Sequence, residues 1–309
     1  MEVGVQKNAS WWSVLKAHAR THPLMASGLL GSLLLIVALL LQSSVLLESP
    51  EQHQFVQYAL LGGLACFLGT SAGAIPALLL KSIPQKLEDS MLGFAAGMML
   101  AAAAFSLLLP GIEAGTEITG SNIAGGGLVI FGMAIGVALM MGLDHFTPHE
   151  HVQTGPCGPG NERCGRAWLF VFAIALHNLP EGMAVGVGFA QGDVSIGLPL
   201  TTAIALQDIP EGLAVALTLR AVGFAPLFSV LVACATGLLE PLGALLGVGL
   251  AGGFMLAYPI GLGLAGGAML FVVSHEVIPE THRNGHQMLA TQGLMVGFAL
   301  MMILDTTLG

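Results

Sequence analysis

Nine stretches of this chain, near residues 24–46, 56–80, 91–110, 124–144, 168–190, 195–219, 225–250, 254–274 and 286–305, stay apolar long enough to cross a bilayer. A spanning helix needs roughly 20 such residues at about 1.5 Å each. Composition agrees, since 55% of the 309 residues are hydrophobic and 9% charged, against roughly a quarter charged in a soluble domain. The expected fold class is all-α, a polytopic membrane helix bundle.

The first run follows Lys7, Lys16 and Arg20. It is longer than the apolar core of a usual signal peptide and lacks a clear small-x-small cleavage site, so an uncleaved anchor is expected. Threading nine spans alternately puts every Lys and Arg on one side: Lys7, Lys16, Arg20, Lys81, Lys86, Arg163, Arg166, Arg220 and Arg283. The opposite loops hold Glu48, Glu51, Glu113, Glu117 and Asp193 with no basic residue. The positive-inside bias then predicts a cytoplasmic N terminus and an external C terminus in the inner (plasma) membrane.

Cys66, Cys157, Cys164 and Cys234 form no CxxC pair and suggest no disulfide framework. The net charge of −9 argues against a nucleic-acid partner. Small-xxx-small pairs recur at Gly69/Gly73, Gly93/Gly97, Gly132/Gly136, Gly243/Gly247 and Gly263/Gly267, and such pairs let helices in lipid approach closely. The polar segment 144–166 reads as a cytoplasmic loop. It carries His145, His149, His151, Cys157 and Cys164, either incidental in a solvated loop or able to catch a metal transiently. The chain contains no GxxxxGK[ST] phosphate loop, so it does not itself hydrolyse ATP.

The chemistry is concentrated in "HNLPEG", 177–182, and "QDIPEG", 207–212, inside neighbouring spans joined by a short turn. Counting about 1.5 Å per residue from position 192 puts Glu181 roughly 16 Å deep, His177 and Gln207 roughly 22 Å, and Glu211 roughly 28 Å. His177, Asn178 and Glu181 share one helix face, and Gln207, Asp208 and Glu211 another. A carboxylate in hydrocarbon costs at least about 2.5 to 3.5 kcal/mol on insertion scales, so such residues face a partner or a wet cavity. Every Lys and Arg falls in a loop, a terminus or a helix end, so the compensating charge must come from outside the chain. Pro180 and Pro210 free the carbonyls of Leu176 and Leu206 and predict kinks beside the polar residues.

Glu181 and Glu211 are placed to bridge two ions about 3.5 to 4 Å apart, the spacing of binuclear sites. One ion would also use His177 and Gln207; the other Asn178, Asp208 and a further carboxylate, for which Glu240 in "TGLLEPLG" is the candidate. Met99 offers a soft thioether, or simply packs. Imidazole, carboxylate and amide oxygen together suit Zn²⁺, with Cd²⁺, Fe²⁺ and Mn²⁺ as further possibilities.

These two motifs, with the histidine-bearing loop before them, resemble the ZIP (Zrt- and Irt-like protein) family of divalent-metal transporters. The resemblance covers about 56–305. It implies an eight-helix transport domain over 51–309, preceded by residues 1–50 as a cytoplasmic segment and one extra transmembrane helix. It further implies zinc carried into the cytoplasm as bound substrate rather than cofactor, with His177, Asn178, Glu181, Gln207, Asp208, Glu211 and Glu240 as transport-site ligands. The family usually has histidine where this chain has Gln207. Asp144, His149, His151, His275 and Glu276 form a candidate exit path, with plain helix-end solvation as the alternative for Asp144, His275 and Glu276; Asp89 and Asp305, at opposite ends of the bundle, are weaker candidates. A homodimer is compatible with the sequence.

Two rival functions are available. "HEVIP" at 275–279 begins like the HExxH of a metalloprotease but has Pro279 where the second histidine belongs, so no enzyme is expected. The nearer rival is a proton-coupled transporter of another solute, with Glu181, Asp208 and Glu211 as a proton relay.

Overall fold

The computed structural model describes residues 16–17, 19–48, 53–147, 149–151, 155–157, 165–192, 194–252 and 255–308. Helix α1 is Pro23–Glu48 and α2 is His53–Ala74, extended by a 3-10 turn over Ile75–Leu78. Next come α3 (Gln85–Ala101), a π-helical turn (Ala102–Leu108) and α4 (Leu109–Thr119), then α5 (Asn122–Phe146), α6 (Arg166–Phe189) and α7 (Val194–Ala221). The remainder is α8 (Pro226–Gly237), α9 (Leu239–Ala251), α10 (Ala257–Val272), a second π-helical turn (Val273–Val277), α11 (Ile278–Thr281) and α12 (Gln287–Leu308). Among the described residues, eight segments from His53 onward are long and apolar enough to cross a membrane. Helix α1, with 26 residues, lies ahead of them and packs against α9 and α5. His22, just before it, meets His145 ring to ring at 4.7 Å.

The bundle is held by four helix pairs: α3 with α12, α6 with α9, α5 with α10, and α2 with α7. In every pair, glycines of one helix lie against backbone carbonyls of the other. Gly93 and Gly97 meet Ala290 and Leu294, while Gly293 and Gly297 meet Ser90 and Phe94. Gly182 and Gly186 meet Glu240 and Ala244, and Gly243 and Gly247 meet Leu179 and Met183. Gly132 and Gly136 meet Ile260 and Leu264, with Gly263 and Gly267 against Val129 and Met133; Gly69 and Gly73 meet Ala205 and Ile209. A Cβ at any of these contacts would overlap the facing backbone, so only glycine permits the approach. Residue numbers rise together across each contact, so all four pairs are parallel. Each joins two spans an even number of crossings apart, as alternate threading requires.

Two features differ from the sequence reading. The segment expected over 91–110 runs from Gln85 to Thr119, 35 residues. Its polar start belongs to the helix because Asp89, 1% exposed, accepts hydrogen bonds from Asn284 Nδ2 (2.9 Å) and His286 Nδ1 (2.8 Å). It continues past Pro110 and stops at Gly120, whose φ of 69° is left-handed. The loop 144–166 contains a two-stranded antiparallel ribbon, His149–His151 with Gly155–Cys157, so among the described residues these six are the only strand residues in an otherwise all-α fold. Both motif prolines lie inside their helices, Pro180 in α6 and Pro210 in α7, and neither interrupts its helix.

Candidate metal centre

The two polar faces meet inside the bundle. His177, Asn178 and Glu181 on α6, Gln207, Asp208 and Glu211 on α7, and Glu240 in the first turn of α9 are all 3% exposed or less. One carboxylate oxygen each from Glu181, Asp208 and Glu211 lies within 4.8 Å of the others. Gln207 Nε2 donates a hydrogen bond to Glu181 Oε1. Both oxygens of Asp208 and of Glu211, Glu181 Oε2, Gln207 Oε1, Asn178 Nδ2 and Glu240 Oε2 are buried without a hydrogen-bond partner. Buried polar atoms are nearly always paired, so this concentration of oxygen donors fits a divalent cation in substance as well as in spacing.

The register between α6 and α7 corrects the depth count. Gln207 faces Glu181 rather than His177, while Glu211 shares a cavity wall with His177. Near the turn, Gly188 already packs against Gly197 and the Phe189 ring lies over Gly197. The hairpin therefore starts one or two residues off level, and the offset reaches a full turn at the carboxylates, where Gln207 meets Glu181.

The motif glycines also have a specific role. Gly182, closing "HNLPEG", lets α6 touch the backbone of Glu240, and Gly212, closing "QDIPEG", lets α7 touch the backbone of Thr70. Thr70 in turn donates from Oγ1 to Glu240 Oε1 at 2.6 Å. Each PEG motif thus supplies a carboxylate and, one residue later, the contact that seats a neighbouring helix beside it. Glu240 is gripped from a second side, since Gly63 on α2 lies against its carbonyl and against Pro241.

Sequence reasoning passed over α2. Cys66, fully buried, has Sγ within 4.8 Å of carboxylate oxygens of Asp208 and Glu240. The available signal was spacing: Cys66 and Thr70 stand one turn apart on the helix whose Gly69 and Gly73 meet the QDIPEG helix. Met99 is fully buried within the main apolar core on α3.

A cavity of about 130 Å³ leads from His177 and Glu211 to the end of the bundle marked by Gln85, Arg283 and Asn284; Glu88, Asp89, Glu276 and Glu280 line its acidic wall. Beside it the structure brings Asp144, His275 and Glu276 together, with ligand atoms within 4.8 Å of one another. His275 and Glu276 sit in the Val273–Val277 π-helical turn, a feature frequent at functional sites. His149 and His151 lie in the ribbon, and their side chains, like those of Cys157 and Cys164, are outside the described residues. Asp305, at the far end, accepts a hydrogen bond from Ser106 at 2.6 Å.

Comparison with known proteins identifies the family. Residues 158–305 match the family described as ZIP Zinc transporter. Zinc transporter ZIPB of Bordetella bronchiseptica is 61% identical over 293 residues, covering 95% of each chain. Zinc transporter GufA of Myxococcus xanthus is 40% identical over 250 residues, 81% of this chain and 98% of its own length. Zinc transporter ZupT of Corynebacterium glutamicum is 33% identical over 254 residues, covering 78% of this chain and 96% of its own. With relatives this similar aligned along nearly its whole length, the chain belongs to the ZIP family.

Proposed function

We propose that this protein carries Zn²⁺, and with it Cd²⁺, Fe²⁺ and Mn²⁺, across the inner membrane into the cytoplasm through a binuclear intramembrane site, without ATP. The observation that carries this reading is the convergence of Glu181, Asp208 and Glu211 within 4.8 Å at buried positions in spans whose only Arg residues, Arg166 and Arg220, stand at their ends. Three carboxylates at that spacing repel unless protons or cations neutralise them. The names of the aligned relatives favour zinc.

One ion takes His177, Glu181, Gln207 and Glu211, with the Met99 thioether as a further donor. The second takes Asn178, Glu181, Asp208, Glu211 and Glu240. Inward movement is supported by the cavity from His177 and Glu211 to the end bearing Lys86 and Arg283, which the positive-inside bias assigns to the cytoplasm. Met99, Ala102, Leu200, Ile204 and Met269, each 1% exposed or less, belong to the main apolar core. Asp144, His275 and Glu276 then form the next stop on the way out.

The test is zinc flux into proteoliposomes at controlled voltage. Uptake should be saturable and lost in Glu181→Ala and Glu211→Ala; full uptake in both folded variants would refute the carboxylate site.

A further inference from the structure

We propose that Cys66 is a soft metal ligand, completing the Asp208–Glu240 side of the centre and biasing that position toward thiophilic ions, Cd²⁺ and Zn²⁺, over oxygen-preferring ones such as Mn²⁺. The inference rests on the metal-carrying reading above and adds to it a thiol that tunes which ion is held.

Three observations support it. Cys66 Sγ and carboxylate oxygens of Asp208 and Glu240 all lie within 4.8 Å of one another and are fully buried. Two ligands on a tetrahedral zinc with bonds of about 2.3 Å to sulfur and about 2.1 Å to oxygen stand roughly 3.6 Å apart, inside that envelope. The two carboxylates still have binding capacity: both Asp208 oxygens and Glu240 Oε2 lack hydrogen-bond partners. Thr70 Oγ1 occupies only Glu240 Oε1, at 2.6 Å, so it orients the carboxylate while leaving the other oxygen to a cation.

Among the described residues the thiol makes one long hydrogen-bond contact, Sγ to the Thr201 carbonyl at 3.9 Å. Its position is fixed by packing, because Gly63 on α2 meets the Glu240–Pro241 backbone and Gly69 meets Ala205 on α7. Coordination breaks the S–H bond, leaves its electron pair on sulfur to form the metal–sulfur bond, and releases the proton to water, the usual linkage for thiolate sites. Thiolate donors select soft and borderline ions, whereas an all-oxygen set suits Mn²⁺ and Mg²⁺.

The experiment uses the full chain, purified, with Cys157→Ser, Cys164→Ser and Cys234→Ser leaving Cys66 as the sole thiol. Cd²⁺ is titrated while near-ultraviolet sulfur-to-cadmium charge transfer is recorded, and bound Cd²⁺ and Mn²⁺ are measured by equilibrium dialysis. A charge-transfer band should saturate with the bound ion and weaken in Glu240→Gln. Adding Cys66→Ser should remove it and lower the Cd²⁺-to-Mn²⁺ affinity ratio at least about tenfold, the lower end of what losing even an outer-shell partner costs. Cd²⁺ bound at full stoichiometry without a band would overturn the thiol's role and leave the transport reading standing. No Cd²⁺ or Zn²⁺ bound at all would overturn the transport reading, and this inference with it.

Discussion

Gly182→Ala tests whether the PEG glycine positions the metal centre. A Cβ at 182 would stand 2.7 Å from both the carbonyl carbon and the Cα of Glu240, where carbon atoms prefer about 3.5 to 4.0 Å. Helices α6 and α9 must therefore part by roughly 1 Å, at an overpacking cost of about 1 to 3 kcal/mol. Glu240 moves with α9 while Glu181 stays with α6, and a metal–oxygen bond of about 2.0 to 2.2 Å does not stretch that far. Gly127→Ala is the control, since nothing lies within 4 Å of its added methyl. Equilibrium binding of Zn²⁺ and thermal unfolding of the purified variants should show Gly127→Ala unchanged. Gly182→Ala should be less stable, with one ion held as before and the other weakened at least about tenfold, the scale on which outer-shell losses act. Two ions bound at wild-type affinity in folded Gly182→Ala would refute the claim that this glycine sets the position of Glu240.

Glu181→Ala or Glu211→Ala should damage transport more than Asn178→Ala, because each glutamate is proposed to serve both ions; equal, mild losses in folded variants would count against a shared pair of ligands. Uptake should respond to membrane potential, since an inside-negative potential favours entry of a divalent ion by about 4.6 kcal/mol per 100 mV, twice the single-charge value; flux indifferent to potential would point to exchange with compensating charge. Gln207→His should raise zinc affinity by setting an imidazole beside Glu181, and the gain should shrink below about pH 6.5, where a free histidine protonates. Unchanged affinity at neutral pH would remove Gln207 from the ligand set.

Much of the fold is readable because lipid leaves few options. Eight apolar stretches from residue 56 onward correspond to eight helices, and all five small-xxx-small glycine pairs sit at helix contacts. Their partners were not readable. Each glycine faces the backbone carbonyl of a residue whose side-chain type is arbitrary, such as Ala205, Leu294 or Ile260, and backbone carries no sequence signature. Helix ends were misjudged for a related reason. Hydropathy counts Lys86, Glu88 and Asp89 as loop, yet Asp89 is buried beneath Asn284 and His286 from nearly two hundred residues away. The π-helical turns at Ala102–Leu108 and Val273–Val277 carry one extra residue each in runs with ordinary helical composition, so periodicity is silent about them.

The centre was legible where charge made it costly and obscure where it did not. Seven polar residues in three apolar spans demand an explanation, and the structure places all seven below 4% exposure in one region. Depth counting recovered that they converge but missed by one turn which residue faces which, because a count centred on the turn cannot include the register set where Phe189 lies over Gly197. Cys66 was missed on different grounds: a neutral thiol in a helix costs lipid almost nothing, so burial alone never marks it. It stands out only once Thr70, one turn further along α2, is seen to hold Glu240. A residue that helps choose among cations can therefore be inconspicuous in an apolar span, whereas those that attract them cannot. For this bundle, selectivity is better sought among the neutral neighbours of the carboxylates than among the carboxylates themselves, which attract every divalent ion that reaches them.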